Sequence, residues 1–401
     1  MRLSLANLRR VTSGGEYVAE IDGLRFIAIA SVLAYHIWML TGIALNDWVV
    51  PENRIFAVGW NMLAFGERGV PIFFAISGFI LGIPFAKDRL LGAKPVSLKQ
   101  YFLRRVTRLE PPYILSQCVR VVPVMIAKGM TFWQILPHFV AGLLYVHMLI
   151  YRTIPLVQLV AWSLEIEIQF YILAPLLSRL FFRKAPAVRW GMLLTFFILH
   201  WLLSFRFYGF KPGDLAVGQP LALAYFNMTI IYWSRYFVVG LAMAQLCITE
   251  FPSLRNRWVW DALSIPGWAL IFALSERWWN LLGPILLMVC FIGAFKGVLG
   301  PRFFRIPLVA TVGGMCYSIY LTHSLVLQGV YALLNKLVHG FPSYGSRLFI
   351  GELFCFPFLI FFGAVYFVLI ERPCMDKNWP QKLMAWLREK RRANLSTESA
   401  G

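Results

Sequence analysis

The chain has 401 residues, of which 59% are hydrophobic and 14% are charged. A soluble domain of ordinary composition carries about 25% charged residues. This much apolar surface cannot all be buried inside a water-soluble fold of this size, so the sequence predicts an all-α, polytopic integral membrane protein in a lipid bilayer. The net charge of +19 lies in short segments between apolar runs. That pattern is typical of cytoplasmic loops and argues against a nucleic-acid partner.

Ten apolar runs are predicted to cross the membrane. They are residues 24–42, 69–86, 109–127, 160–182, 190–205, 229–248, 258–274, 280–298, 308–334 and 347–370. An eleventh run, 133–150, is interrupted by Pro137, His138 and His147. If this run stays on the outer side as an interfacial or re-entrant piece, most of the 38 Lys and Arg residues fall inside. The charge distribution therefore predicts about ten transmembrane helices with both termini in the cytoplasm.

The spans divide the chain into a cytoplasmic N-terminal segment (1–20), one membrane domain (21–375) and a basic cytoplasmic tail (376–401), whose last residues, 388–401, we expect to be disordered. No appended soluble domain is expected. The six cysteines form no CxxC pair, and no histidine has metal-ligand spacing to another His or Cys. We therefore expect neither a disulfide nor a metal site.

The first predicted span carries Arg25 and His36, eleven residues apart. At about 100° per residue the two side chains share one helix face, with a rise of about 16 Å between them. Ionisable groups inside a membrane are costly, so each is a functional candidate. The pair suits an anionic donor held at the cytoplasmic surface and a base near mid-membrane. The alternative is an arginine that reaches the interface and a histidine satisfied by a neighbouring helix.

Two further groups of candidate residues lie at later spans. One group precedes the predicted span 109–127, and the other lies at the start of the predicted span 160–182. Arg104, Arg105 and Arg108 have helical i,i+3 and i,i+4 spacing, and clustered guanidinium groups are good receptors for phosphate. The alternative is that these arginines bind no ligand, because basic residues are expected at any cytoplasmic boundary of a membrane span. Glu165 and Glu167 point about 200° apart on a helix, whereas Ser163, Glu167 and Tyr171 share a face. Glu167 is expected to orient His36, or else to pair with an arginine such as Arg120 or Arg235.

These residues fall into six motifs that, in this order, resemble the acyltransferase-3 family of bacterial membrane O-acyltransferases. The matching positions are Arg25, Ala28, Val32 and His36; Gly69 to Phe79; Arg104, Arg105 and Arg108; Trp162 to Tyr171; Ser318, Tyr320 and His323; and Glu371, Arg372 and Pro373. One departure is Pro71, which stands where the family often has aspartate. The other departure is that Glu165 and Ile168 replace residues that are commonly serine and glutamate in the family. Glu167 is therefore the carboxylate that matches the motif.

The resemblance implies an enzyme of the bacterial cytoplasmic (inner) membrane that takes an acyl group, typically acetyl, from cytoplasmic acyl-coenzyme A. The acceptor would be a hydroxyl of a surface glycan, a lipid-linked sugar or an exported small molecule. His36 would be the base, with Arg25 and the arginines at 104, 105 and 108 serving the donor. His323 is expected to be a packing or hydrogen-bonding residue.

A transporter or flippase for a lipid-linked sugar is the alternative from another functional class. It shares the many spans, and charges inside a membrane also mark transport paths. The sequence contains no detectable inverted repeat, a feature of many transporters. The identity of the acceptor and the oligomeric state are not determined by the sequence.

Overall fold

The computed structural model describes residues 8, 10, 17–45, 59–60, 62–206, 229–339, 344–376 and parts of 378–389. Within these ranges the chain forms helices joined by turns, and no strand is present. The all-α class predicted from the sequence is confirmed.

The principal helices, in chain order, are α1 (Ala19–Leu45), α2 (Gly69–Leu91), α3 (Leu98–Lys128), α4 (Phe132–Leu143), α5 (His147–Tyr151), α6 (Trp162–Phe182), α7 (Pro186–Arg206), α8 (Ile230–Thr249), α9 (Trp258–Ala273), α10 (Glu276–Lys296), α11 (Leu299–Phe304), α12 (Pro307–Gly314), α13 (Cys316–His339) and α14 (Tyr344–Tyr366). A 3-10 turn (Gly66–Arg68) leads into α2. A π turn (Phe367–Glu371) and a short helix (Arg372–Cys374) follow α14.

Seven helical stretches in the described ranges are long and apolar enough to cross a membrane. They are Ala19–Gly42, Gly66–Leu91, Leu159–Phe182, Pro186–Leu203, Ile230–Thr249, Glu276–Lys296 and Gly345–Cys374. The remaining three predicted spans lie on α3, on the shorter apolar helix α9, and on α12 and α13. The total of ten spans and the location of the termini stay predictions.

The predicted span 308–334 is divided in the structure, because a turn at Met315 separates α12 from α13. The end of α12 lies directly against α1: a Cβ atom added at Gly313 would collide with the backbone oxygen of Asp22. Only glycine permits this approach. The prediction of one continuous helix fails here because hydropathy does not detect a break between two apolar segments.

The segment 133–150, which the sequence predicts to lie on the outer side, forms two short helices, α4 of 12 residues and α5 of 5 residues. At 1.5 Å per residue, α4 extends about 18 Å, less than the roughly 30 Å hydrocarbon layer. Neither helix is long enough to cross alone. The carboxylate of Glu165, at the start of α6, accepts hydrogen bonds from the backbone N–H groups of His147 and Met148 at 3.2 and 3.0 Å. The N-terminus of α5 is thereby fixed to α6.

The surface of α6 shows why lipid is the expected solvent. Ile172, Leu176 and Leu180 repeat every four residues on one face and are 62%, 58% and 48% exposed. Phe170 and Ala174, on another face, are buried. A stripe of large exposed aliphatic side chains on a helix is expected where acyl chains, not water, are the neighbours.

The centre of the bundle depends on a close contact between α2 and α8. A Cβ atom at Gly78 would collide with the carbonyl oxygen of Phe237, and one at Gly240 would collide with that of Ala75. Small residues that let helix backbones approach are typical of membrane helix interfaces. Beside this contact the ring of Phe237 stacks on Phe74 and Phe170, with centroid distances of 4.6 and 4.0 Å.

Replacing Gly78 or Gly240 with alanine should lower the free energy of unfolding by about 1–3 kcal/mol, because the new methyl group separates the two backbones. Gly191 is the matched control, since a Cβ there meets no atom within 4 Å. Gly191→Ala should stabilise its helix by up to about 1 kcal/mol. Thermal unfolding in detergent compares the three variants. Equal midpoints for all three would contradict the close contact.

The segment 133–150 also contains a histidine pair that should respond to pH. His138 Nδ1 and His147 Nε2 are 2.9 Å apart, and both rings pack against Tyr151. Burial, followed by the nearby His138, lowers the pKa of His147 to about 4, and burial lowers the pKa of His138. A histidine in the unfolded chain has a pKa near 6.5. Between about pH 6.5 and 4 the unfolded segment therefore binds more protons than the folded segment.

Lowering the pH through this window should therefore destabilise α4 and α5. Amide hydrogen exchange over residues 132–151, corrected for intrinsic rates, should be faster at pH 5 than at pH 7. In His147→Gln the difference in corrected exchange rate between pH 5 and pH 7 should be smaller than in the wild type. Equal protection of the wild type at both pH values would exclude the histidine pair as the cause.

Candidate functional site

Two adjoining cavities lie among α1, α2, α3, α6 and α13. The first, here called the arginine cavity, has a volume of about 340 Å³. Five guanidinium groups share its wall; they belong to Arg10, Arg25, Arg104, Arg105 and Arg108. Glu167 contributes the one carboxylate among the described lining residues. The cavity therefore carries a strong excess of positive charge, suited to an anionic ligand.

The second cavity, here called the histidine cavity, has a volume of about 260 Å³. His36 and His323 lie in its wall, together with the carboxylate of Glu67. The described residues that line it include no lysine or arginine. Hence the two cavities differ sharply in charge although they are neighbours.

Four residues line both cavities: Val32, Val70, Ser163 and Tyr320. We call them the waist. Ser163 Oγ and Tyr320 OH are 3.1 Å apart, and Tyr320 OH also donates to the carbonyl oxygen of Val160. A ligand in the arginine cavity would pass this waist to reach His36, one helical turn beyond Val32.

His36 is oriented by its own helix. Its Nδ1 lies 2.8 Å from the carbonyl oxygen of Val32. A carbonyl oxygen only accepts, so Nδ1 carries the proton and Nε2 is the nitrogen with a free lone pair. Glu167, which the sequence predicts to orient His36, accepts its described hydrogen bonds from Ser77 and Tyr171, whereas the described partner of His36 Nδ1 is the Val32 carbonyl.

His323 packs against His36, with ring centroids 4.9 Å apart in an edge-to-face arrangement. Its Nδ1 lies 2.7 Å from the carbonyl oxygen of Tyr320, so the same tautomer is favoured. Its Nε2 is buried and has no hydrogen-bond partner in the described part of the chain. Its side chain lines the histidine cavity and contacts His36.

Arg25 lies in the arginine cavity, not in the cavity of His36. Its Nη1 is 2.6 Å from Asp22 Oδ1, and Arg10 Nη1 is 3.4 Å from the same oxygen. One buried carboxylate thus holds two guanidinium groups at the cavity wall. Arg10 is not among the site residues predicted from the sequence, because nothing in its local sequence indicates that it contacts α1.

The predicted cluster Arg104, Arg105 and Arg108 is brought together on the cavity wall. Arg105 Nη1 donates to the carbonyl oxygen of Tyr101 at 2.6 Å, and the guanidinium lies 3.6 Å from the Tyr101 ring centroid. Cation–π packing holds the group in place and leaves its other donors for a ligand. Arg104 is exposed at the mouth of the cavity.

Glu167 faces the arginine cavity from α6. Its Oε1 accepts hydrogen bonds from Ser77 Oγ and from Tyr171 OH, the latter at 2.6 Å. Ser163, Glu167 and Tyr171 all line this cavity, so the predicted common face is confirmed.

The arginines proposed as alternative partners of Glu167 bind elsewhere. Arg120 donates to Ser324 Oγ at 3.0 Å, and Arg235 donates to Asn280 Oδ1 at 2.8 Å. The choice of partner depends on how each helix is rotated about its axis, which spacing along one helix does not determine.

Glu371 joins three of the sequence motifs. Its buried carboxylate accepts hydrogen bonds from the N–H and Oγ of Ser318, at 3.1 and 2.6 Å, and from Arg108 at 3.4 Å. The start of the predicted tail also packs here, since Trp379 Nε1 donates to the carbonyl oxygen of Thr107 at 2.9 Å. These contacts anchor α3 and its arginines to α13. No group of three metal-ligating side chains occurs in the ranges that the structure describes.

Replacing Glu371 with glutamine should lower the free energy of unfolding by about 2 kcal/mol or more, because the negative charge opposite Arg108 is lost and the new NH₂ group replaces an oxygen that accepts either from Arg108 or from the two Ser318 donors. The matched control is Asp376→Asn, which breaks the exposed pair with Lys382 and should cost less than about 1 kcal/mol. Thermal unfolding in detergent measures both. Similar losses in the two variants would contradict the anchoring role of Glu371.

Comparison with known proteins identifies the family. The model of the acyltransferase-3 family, described as an acyltransferase domain, matches residues 18–370. A protein of Staphylococcus aureus strain COL, provisionally named an O-acetyltransferase, is 23% identical over 79% of this chain and 52% of its own length. A provisionally named membrane-bound transacylase of Komagataeibacter xylinus is 24% identical over 89% of this chain and 83% of its own.

The chain spans about half the length of the staphylococcal relatives that it matches. No solved structure matches it significantly. The match to the family model covers every described lining residue of the two cavities except Arg10, and it includes the motifs from Arg25 to His323. The chain therefore belongs to the acyltransferase-3 family of membrane acyltransferases.

Proposed function

We propose that the protein transfers a short acyl group from acyl-coenzyme A, bound in the arginine cavity, to a sugar hydroxyl in the histidine cavity. The observation that supports this proposal is that two cavities share the waist residues and differ in charge. One is lined by five arginines, and the described wall of the other has two histidines and no lysine or arginine. Donor and acceptor would enter separate cavities and meet beside His36. The names of the relatives favour acetyl as the acyl group.

The donor is assigned to the arginine cavity on charge. Coenzyme A carries several phosphate oxygens, and guanidinium groups bind such oxygens with paired, charge-assisted hydrogen bonds. Arg104, Arg105 and Arg108 supply them at the end of the cavity that the positive-inside rule assigns to the cytoplasm. The phosphates would dock there, and the thioester arm would extend past Arg25 toward the waist.

His36 is the proposed base. Its Nε2 would take the proton of the acceptor hydroxyl as the oxygen attacks the thioester carbon. The C–O bond forms, the C–S bond breaks, and the thiolate leaves and is protonated. In the other route, His36 Nε2 carries the acyl group for one step before the hydroxyl attacks. Both routes use the tautomer that the Val32 carbonyl favours.

Two charged residues have supporting roles in the proposal. Arg25 would neutralise a phosphate or the oxyanion that develops on the thioester carbonyl. Glu167 would act from the arginine cavity, where Ser77 and Tyr171 hold its carboxylate, and not through His36. The protein would work in the bacterial cytoplasmic membrane on a carbohydrate or glycolipid acceptor.

A transporter of a lipid-linked or acylated sugar is the second candidate, since two adjoining cavities across a membrane also form a path. The two functions differ in one product. A transferase releases free coenzyme A when acetyl-coenzyme A and acceptor are mixed with the protein, whereas a transporter does not.

His36→Ala should reduce acyl transfer by about 10²- to 10⁴-fold, the usual contribution of a positioned general base. The measurement compares wild type and variant in the native host, by mass spectrometry of O-acyl groups on extracted glycans and lipids. His200→Ala is the matched control, because His200 is also a buried histidine in a membrane helix but lines neither cavity. Full activity of His36→Ala would refute the assignment.

Arg104→Ala and Arg105→Ala should each raise KM for acetyl-coenzyme A by about tenfold, since a charge-assisted hydrogen bond is worth about 1.5–3 kcal/mol. The effect should weaken in high salt. The control is Arg89→Ala, an exposed arginine of α2 outside the cavity wall. Steady-state release of coenzyme A measures KM. An unchanged KM in both cluster variants would remove the donor from the arginine cavity.

A further inference from the structure

His323 is a buried histidine in the wall of the histidine cavity, and the reaction proposed above gives it no role. Its Nδ1 lies 2.7 Å from the carbonyl oxygen of Tyr320 and 3.2 Å from that of Ile319, both on the preceding turn of α13. A carbonyl oxygen only accepts, so the proton is on Nδ1 and the lone pair is on Nε2. The electron-rich end of the ring is therefore the end that the backbone of α13 does not bind.

The lone pair of His323 Nε2 is an unsatisfied acceptor. The atom is buried, and no donor reaches it among the residues whose positions the structure gives. A buried acceptor without a hydrogen bond destabilises the folded state, and an apolar side chain of similar size would avoid that cost. Such groups are rare in native folds, and a role in catalysis is one reason to retain them.

The ring beside this acceptor is that of His36. The two ring centroids are 4.9 Å apart, and the ring planes meet at 65°. The contact joins α1 to α13, and each helix carries a waist residue one turn before its histidine: Val32 before His36, and Tyr320 before His323. Both imidazoles therefore lie just beyond the waist, in the same cavity and in the same tautomer.

Packing on two sides holds the turn of α13 that carries His323. Tyr320 OH lies 3.1 Å from Ser163 Oγ, which connects this turn to α6. On another side α14 approaches closely, because a Cβ atom added at Gly363 would collide with the side chain of Ile319. The position of the His323 ring is therefore set by its neighbours, and the ring contact with His36 is part of the packed structure.

His36 gains a positive charge in both routes of the proposed reaction. In the direct route its Nε2 takes the proton of the acceptor hydroxyl, and in the two-step route its Nε2 takes the acyl group. Nδ1 keeps its proton in each case, so the ring becomes an imidazolium. A lone pair beside that ring attracts the charge strongly in a region of low dielectric constant. The attraction is weak while His36 is neutral, so it lowers the barrier and not the energy of the bound substrates.

Resting on the function proposed above, we infer that His323 is a positioning residue for His36, whose imidazolium its Nε2 lone pair stabilises during acyl transfer. No bond to His323 forms or breaks, and the proton passes from the acceptor hydroxyl to the leaving thiolate as in the proposed reaction. The unsatisfied acceptor gains a positively charged neighbour only as the reaction proceeds. The alternative is the role expected from the sequence, in which His323 serves packing alone.

The first experiment measures release of coenzyme A by the purified full-length protein. The donor is acetyl-coenzyme A, and the acceptor is a glycan and lipid extract of native-host cells that carry His36→Ala, in which the acceptor is left unmodified. His323→Leu removes the lone pair at similar size, whereas His323→Gln keeps an oxygen that can accept. We expect His323→Leu to lower kcat by about tenfold or more at unchanged KM for acetyl-coenzyme A, and His323→Gln to recover kcat to within about threefold of wild type.

The matched control is His200→Leu, since His200 is a buried histidine that lines neither cavity, and its kcat should equal that of wild type. Wild-type kcat in His323→Leu, or equal losses in His323→Leu and His323→Gln, would overturn the inference and leave the transferase assignment intact. If the wild type itself releases no coenzyme A with this extract, the proposed function fails and the inference fails with it.

The second experiment asks whether His323 acts through His36. Release of coenzyme A is compared in His36→Ala, in His323→Leu and in the double variant under the same conditions. Residues that act as a unit have non-additive effects, so the double variant should be as active as His36→Ala alone. A further loss of about fivefold or more in the double variant would show that His323 acts independently of His36 and would overturn the inference.

A third measurement separates this role from a structural one. Thermal unfolding in detergent should give His323→Leu a midpoint equal to or above that of wild type, because the substitution removes a buried acceptor that makes no hydrogen bond. Lower kcat together with undiminished stability is the expected signature of a group retained for the reaction. A midpoint well below that of wild type would show that the loss of kcat comes from lost packing and would overturn the inference.

Discussion

Close approach of helix backbones at glycines is the contact on which the two cavities depend. Gly66 and Gly69 bring the start of α2 against α1, and Gly78 meets α8 at Gly240. Because α1 carries Arg25, Val32 and His36 while α2 carries Val70 and Ser77, this packing places both walls at a defined separation. In lipid there is little hydrophobic drive between helices, so close van der Waals contact must supply the association.

Charge is distributed around this frame so that buried groups have partners. Asp22 holds Arg10 and Arg25, and Glu371 holds Ser318 and Arg108. Isolated charges in the membrane would be costly, and the short ion pairs reduce that cost while leaving the arginine cavity positive overall. The protein thus has a wall with five arginines next to a cavity whose described wall contains no lysine or arginine.

Family membership explains why such an arrangement would be useful. Under the proposed function, a coenzyme A thioester with its anionic phosphates and a hydroxyl acceptor have to meet at one base while water is kept away from the thioester bond. Separate cavities joined at Val32, Val70, Ser163 and Tyr320 offer each substrate its own surroundings. The contact between His36 and His323 places two imidazoles at the same end of that path.

The amino-acid sequence by itself determined the helical class, the membrane environment, and the face shared by Ser163, Glu167 and Tyr171, because hydropathy and the 3.6-residue period are local properties. It also pointed to the arginines of α3 as one cluster. Only the tertiary structure decided that His36 meets His323, that Arg10 joins Arg25 at Asp22, that Glu167 binds Ser77, and that Glu67 lines the cavity of His36. These contacts join residues on different segments, and they depend on the rotation and depth of each helix. Packing against neighbours sets that rotation and depth, and no spacing within a single helix records it.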